Sequence, residues 1–284
     1  MLPTDYQPAI IIAEIGCTHI GNMDRAKHLI DLAKQSGAHV AKFQKRNPTE
    51  CVPKHLWDKP HPNEMFAYGK TYLEHRINIE LDLEQHQKLQ RYCEKIGIKY
   101  SSSVWDITSA KEIISLHPEF IKVPSACNMN TKLLDFLKKN YNGEIHISLG
   151  MLSPLETFKV YNCFEDIKDR VVIYHCTSIY PCPFEKLYLK EIPQILTSWD
   201  RVGFSNHGYG IAADIAAYIL GASHIERHFI DDRSFKHTDS SASLEPIGLS
   251  KLCRDLKAVH TALQNKPNQL SIEEEKEKNK LKNI

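Results

Sequence analysis

With 284 residues, 42% of them hydrophobic and 25% charged, the chain can bury one large core and has the composition of an ordinary globular protein. A formal charge of +1 at pH 7 gives no pull toward nucleic acid or an anionic membrane surface. No apolar run approaches the roughly 18 residues of a spanning helix, and the N-terminus lacks the basic and apolar regions of a signal peptide.

The eight cysteines are scattered without a C-x-x-C pair, several inside apolar runs such as V-V-I-Y-H-C. That is the usage of reduced, buried thiols, and it predicts a cytoplasmic protein.

In chain order, an unbroken β-branched run at 9–15 predicts a strand buried on both faces. An amphipathic helix follows at 25–35, with Asp24 as its expected cap, and a second strand at 39–44. The stretch 45–80 loses all period and reads as a long loop over the active-site face. Beyond it, helices at 81–96, 109–116, 131–139, 154–163, 187–196, 211–220 and 249–263 alternate with strands at 99–104, 120–124, 144–149, 170–176, 202–205 and 224–229. Eight strands in strict alternation with eight helices select an α/β fold of the (β/α)8 TIM barrel type over a doubly wound sheet. The barrel is assigned to residues 1–265, and residues 266–284 form a charged tail or helix.

Chemistry in such a barrel gathers at the C-terminal ends of the strands. Those positions carry Glu14, Lys42 and Gln44, Ser101 to Ser103, Lys122 and Ser125, Ser148, then His175, Thr177, Ser178 and Tyr180. The last two strands add Ser205, Asn206 and His207, and Glu226 and His228. Two histidines on successive strand ends can share a metal ion, and two lysines with a set of hydroxyls make a receptor for a small phosphorylated anion. Bland readings compete. Ser153 and Thr108 are expected to cap helices, and His19, His175 and His224 are as readily structural as ligating. His237 is expected to be solvated, and the histidines of the 55–86 region carry no weight.

The segments I-I-A-E-I-G-C-T-H-I-G-N (11–22), A-K-F-Q (41–44), K-V-P-S-A (122–126), I-S-L-G-M (147–151), H-C-T-S-I-Y-P-C-P (175–183), G-F-S-N-H (203–207), E-R-H-F (226–229) and S-L-E-P (243–246) resemble the sialic acid synthase family, over nearly the whole chain. The resemblance implies condensation of phosphoenolpyruvate with an N-acylated amino sugar aldehyde to a nonulosonic acid. His207 and His228 would hold a divalent metal, usually Mn2+, with Mg2+ or Co2+ as alternatives. Lys42, Lys122, Ser125, Ser148 and Ser205 would hold phosphoenolpyruvate, with Ser103 and Ser178 nearby. Glu14, Gln44, Tyr180 and Asp239 match positions that contact the sugar or move protons. Thr18, Leu149, Asn206, Ser178 and Ser240 depart from the family's usual residues, which puts the identity of the sugar in question. Family members commonly continue into an antifreeze-like domain that caps the partner subunit and supplies an arginine to the sugar's acyl group, so a homodimer is expected; for this chain either a separate polypeptide supplies the cap, or the substrate does not need that arginine, or the sequence is a truncated piece. Two other functions use the same fold: a catalytically weak barrel that binds sugar or phosphoenolpyruvate, and an aldolase forming a pyruvate Schiff base on Lys122.

Overall fold

A computed structural model describes residues 5–282. Eight parallel strands close in sequence order into a barrel: β1 (Ile10–Gly16), β2 (Val40–Lys45), β3 (Lys99–Val104), β4 (Phe120–Val123), β5 (Glu144–Ser148), β6 (Val171–Cys176), β7 (Val202–Asn206) and β8 (His224–His228). The helices between them are α1 (Met23–Gln35), α4 (Leu83–Ile96), α5 (Ile107–Ile114), α6 (Thr131–Asn140), α7 (Pro154–Phe164), α8 (Glu191–Ile195) and α9 (Ala212–Ile219), and α10 (Pro246–Ala262) follows β8. Two helices, α2 (Pro48–Cys51) and α3 (Tyr72–Ile79), fall within the 45–80 stretch, and α11 (Ile272–Leu281) is an exposed helix in the tail. Among the described residues, no helix is long and apolar enough to cross a membrane.

Strand alternation divides the core in two. Ile11, Ala13 and Ile15, Ala41 and Phe43, and their counterparts on later strands pack outward against Leu29, Leu89, Leu133 and the other helix faces. The alternate residues Ile12, Val40, Phe120, Val172 and Tyr174 form a separate apolar cluster inside the barrel. Two positions further along the same strands, and so on the same inner face, stand Glu14, Lys42, Lys122 and Cys176. The apolar cluster is thus the floor on which a polar layer rests. β7 contributes Gly203 to the inner face, where an added Cβ would lie 2.5 Å from the Tyr174 ring.

Several helix ends differ from expectation for identifiable reasons. Asn22, not Asp24, caps α1, accepting from the Arg25 amide at 2.9 Å. Asp106, not Thr108, caps α5, accepting from the Ser109 amide at 2.7 Å, while Ser153 caps α7 in a capping box as expected. The helix expected at 187–196 shrinks to α8, which begins at Glu191 and so places Pro193 in its first turn, where no intrahelical N–H bond is lost. The 45–80 stretch is a built structure and not a bare loop. Thr71 and Glu74 form a capping box on α3, and Asn78 donates to the Tyr68 carbonyl at 2.6 Å. The Tyr68 hydroxyl donates to the Lys236 carbonyl at 2.6 Å, tying this excursion to the segment after β8. The tail is helical over Ile272–Leu281, and residues 283–284 of the expected tail lie outside the described residues.

Candidate active site

At the C-terminal mouth of the barrel lies a cavity of about 330 Å³. Glu14, Lys42, Gln44, Ser103, Lys122, Ser125, Ser148, Ser178, Tyr180, Ser205, His207, His228 and Asp239, the residues to which the family resemblance gives a role, line it.

The floor is a chain of buried charges. Lys42 forms an ion pair with Glu14, donates to Ser103 Oγ at 2.8 Å and lies 3.6 Å from Glu226 Oε2. Lys122 Nζ lies 3.0 Å from the same Glu226 oxygen and 3.4 Å from the centroid of the Tyr174 ring. The other carboxylate oxygen, Glu226 Oε1, accepts from Ser205 Oγ at 3.2 Å. Burial opposes the charge on Glu226, yet Lys122 and Lys42 hold its carboxyl down to about 2. The lysines diverge: burial pulls Lys122 down despite Glu226, whereas against the same burial Glu14 and Glu226 push Lys42 up. Glu226 was legible only as a polar strand end, yet it is the group that joins both lysines.

Beside the floor is a cradle. A Cβ on Gly150 would lie 2.4 Å from Ser178 Oγ and 2.5 Å from Ser125 Oγ, so the chain must lack a side chain there for the space to exist. Ser178 Oγ is buried without a hydrogen-bond partner, and Asn128 fixes the strand end by donating to the carbonyls of Ser148 and Gly150, both at 3.0 Å.

His207 and His228 face each other with ring centroids 5.3 Å apart, and the Tyr180 ring lies 4.1 Å from that of His207. His207 Nδ1 sits 3.0 Å from the Thr177 carbonyl; donating there leaves Nε2 with a free lone pair. His228 Nδ1 is buried and unpartnered, 3.6 Å from Asp239 Oδ2. Burial lowers the pKa of both rings, that of His207 to about 4, which keeps them neutral at pH 7. Neutral imidazoles with free nitrogens beside a carboxylate are the donor set a divalent cation requires.

A second group of donors lies at the opposite end of the barrel, where Glu144, His146 and His224 bring ligating atoms within 4.8 Å of one another. Most of its donors are already engaged. Arg201 pairs with both oxygens of Glu144 at 2.7 Å, His146 lies 2.9 Å from the Tyr174 hydroxyl and 3.3 Å from Glu144, and His224 Nδ1 lies 2.9 Å from Ser223 Oγ.

Other expected candidates do not line the cavity. His175 stacks on Phe204 and bonds the Leu187 carbonyl at 2.7 Å. Ser101 and Ser102 donate to backbone carbonyls. Asn206 donates to Asp214, which pairs with Arg227 at 2.7 Å, and this buried group braces the turn after His207. His237, expected to be solvated, is buried and lines the cavity, because the excursion closes over it. His61, His75 and His86, given no weight, are buried as well, the first two with ring centroids 4.5 Å apart inside the excursion. Reading by strand ends missed Arg46, Arg76, Trp105 and Thr238, all of which line the cavity. Arg46 directly follows β2, pairs with Glu80 at 3.1 Å and lies 4.0 Å over the Trp105 ring.

Fold and cavity together define a (β/α)8 barrel with a lysine-, arginine- and imidazole-lined cavity at its C-terminal mouth. The chain belongs to the NeuB family, whose model matches residues 29–268. It is 36% identical over 265 residues to the N-acetylneuraminate-9-phosphate synthase of Homo sapiens, covering 93% of this chain and 73% of that protein. It is 33% identical over 273 residues to the N,N'-diacetyllegionaminic acid synthase of Campylobacter jejuni, covering 94% and 81%. The N-acetylneuraminic acid synthetase of Leptospira borgpetersenii, solved with citrate, superposes with a TM-score of 0.81 at 24% identity, over 98% of this chain and 94% of that one, which shows the shared fold.

Proposed function

We propose that this barrel condenses phosphoenolpyruvate with an N-acylated amino sugar aldehyde, giving a nonulosonic acid and inorganic phosphate. The observation that carries the reading is the buried Lys42–Glu226–Lys122 chain facing the His207–His228 pair across one cavity. Lys42 and Lys122 would bind the carboxylate and phosphate of phosphoenolpyruvate, and Ser125, Ser148, Ser178 and Ser205 would orient its oxygens. A divalent cation held by His207 and His228, with Asp239 beside them, would polarise the acceptor's aldehyde oxygen; Mn2+ is the expected ion.

In the reaction C3 of the enol forms a carbon–carbon bond to the aldehyde carbon, water adds at C2, and phosphate leaves by C–O cleavage. Glu14, whose Oε1 accepts from Gln44 at 2.8 Å, would take the proton of the attacking water or return one to the new alkoxide. Gln44, Tyr180 and Asp239 would hold the sugar.

Exposed apolar side chains around the mouth, Met151, Phe184, Tyr188 and Tyr209, support the expectation that a second polypeptide covers it. All eight cysteines are unpaired, which fits a reducing compartment such as the cytoplasm. The test is release of phosphate from phosphoenolpyruvate in the presence of Mn2+ and a panel of N-acylated amino sugars. Absence of turnover with every sugar would sink the reading.

Numbering frames one further question. The three carbons of phosphoenolpyruvate become C1 to C3 of the product, so C9 derives from C6 of the acceptor. The human relative's name places a phosphate on C9, and the Campylobacter relative's name places none.

A further inference from the structure

Arg46, the first residue after β2, is buried, lines the cavity and reaches Glu14 only through another side chain. Its Nη2 donates to Gln44 Oε1, and Gln44 Nε2 donates to Glu14 Oε1 at 2.8 Å. The other oxygen of Glu14, Oε2, faces the Lys42 ammonium. Gly16 leaves room for the middle link, since a Cβ there would lie 3.0 Å from Gln44 Nε2 and 3.3 Å from Glu14 Oε1.

Donors and acceptors can follow one another along this chain in only one order. A glutamine amide has two ends of nearly the same shape, one that only accepts and one that only donates, and by itself it can sit either way round. A guanidinium has five N–H donors and no acceptor, so the end of Gln44 held against Arg46 has to be the carbonyl oxygen. The NH2 end then points at Glu14, and an ionised carboxylate, which only accepts, is the partner it suits. With the amide reversed, two acceptors would face each other unless Glu14 carried a proton.

The guanidinium is itself held on its other sides. Nη1 lies 3.1 Å from Glu80 Oε1 and 3.0 Å from Cys17 Sγ, and the Arg46 amide donates to Glu80 Oε2 at 3.1 Å. The guanidinium carbon lies 4.0 Å from the centroid of the Trp105 ring. Glu80 caps the C-terminal end of α3, so the packing of the excursion reaches Glu14 through Arg46 and Gln44.

We propose that Arg46 is a positioning residue that fixes the direction of the Gln44 amide and so keeps Glu14 aligned, as a hydrogen-bond acceptor, for proton transfer. The proposal rests on the synthase reading above, through the role given there to Glu14.

The test is a double-mutant cycle on kcat and KM, with phosphoenolpyruvate, Mn2+ and the N-acylated amino sugar of the panel that the wild type turns over fastest. Arg46→Met, which keeps the bulk beside Trp105 and removes every donor, is expected to lower kcat by on the order of 10-fold with KM for phosphoenolpyruvate unchanged. Arg46→Lys, which still only donates, should restore part of that loss. In a Gln44→Ala background, Arg46→Met should lower kcat by less than about 2-fold, because the link through which it acts is already gone. If Arg46→Met fails to fold for want of a partner to Glu80, Arg46→Met/Glu80→Gln takes its place in the cycle and leaves no buried charge alone. A loss as large in the Gln44→Ala background as in the wild type, or a wild-type kcat in Arg46→Met, overturns the role of Arg46 and leaves the synthase reading standing. No turnover with any member of the panel overturns both.

Discussion

The two ends of the barrel interior are built from the same residue types and do opposite things. At the N-terminal end Glu144, His146, His224 and Arg201 are satisfied by one another, by Tyr174 and by Ser223, and His146 stacks on Phe120 with centroids 3.8 Å apart. At the C-terminal end Glu226, His207, His228, Lys42 and Lys122 surround an open cavity, and Ser178 Oγ and His228 Nδ1 are left buried without partners. Residue type therefore does not mark the site. Buried polar atoms that lack partners beside open space mark it, because that deficit is what a ligand repays.

The strongest way to break this comparison is to remove an imidazole at each end. His207→Ala or His228→Ala is expected to lower metal-dependent phosphate release by on the order of 1,000-fold, and chelation by EDTA should do the same to the wild type. His224→Ala should leave the metal requirement intact; loss of metal-dependent turnover in that variant, with His207→Ala active, would move the metal to the other end of the barrel.

Next comes Glu226→Gln, expected to cost on the order of 100-fold in kcat by loosening both lysines. The variant also shifts the pH profile. Burial depresses Lys122 and Glu226 opposes that depression, so without the carboxylate Lys122 loses its proton at lower pH. The alkaline limb of the rate profile should therefore move toward neutrality. Sodium borohydride with pyruvate should leave Lys122 unmodified by mass spectrometry; a trapped adduct would favour the Schiff-base aldolase.

A smaller effect is expected from Gly150→Ala. Its methyl group would occupy the space between Ser125 and Ser178, raising KM for phosphoenolpyruvate by roughly 10-fold with little change in melting temperature.

The smallest concerns the closed end and appears only in acid. Burial holds His146 near 4, whereas in the unfolded chain it titrates near 6.5. Between those values the unfolded chain binds a proton that the folded one refuses, so stability is lost as pH falls, by about 1 kcal/mol per pH unit. His146→Phe should flatten that slope in thermal melts from pH 6.5 to 4, and an unchanged slope would remove His146 from the account.

The barrel and its inner face were legible because strand alternation is a short-range signal, and residues such as Lys42 and Lys122 are conspicuous inside otherwise apolar runs. Arg46, Arg76 and His237 were not legible. They reach the cavity from the excursion and from the segment after β8, and contacts such as Tyr68 to Lys236 join residues far apart in sequence. Asn206 misled for the opposite reason: it sits at a strand end, but its side chain serves Asp214 and the turn.

Gly203 shows how far one absent side chain reaches. The Tyr174 ring fills the space beside it, carries Lys122 on its face and bonds His146 through its hydroxyl. A methyl group on β7 would push that ring, and with it a lysine on one side and a histidine on the other. The ring is a shared bearing, and a variant library confined to the cavity wall would leave untouched the residue that seats it.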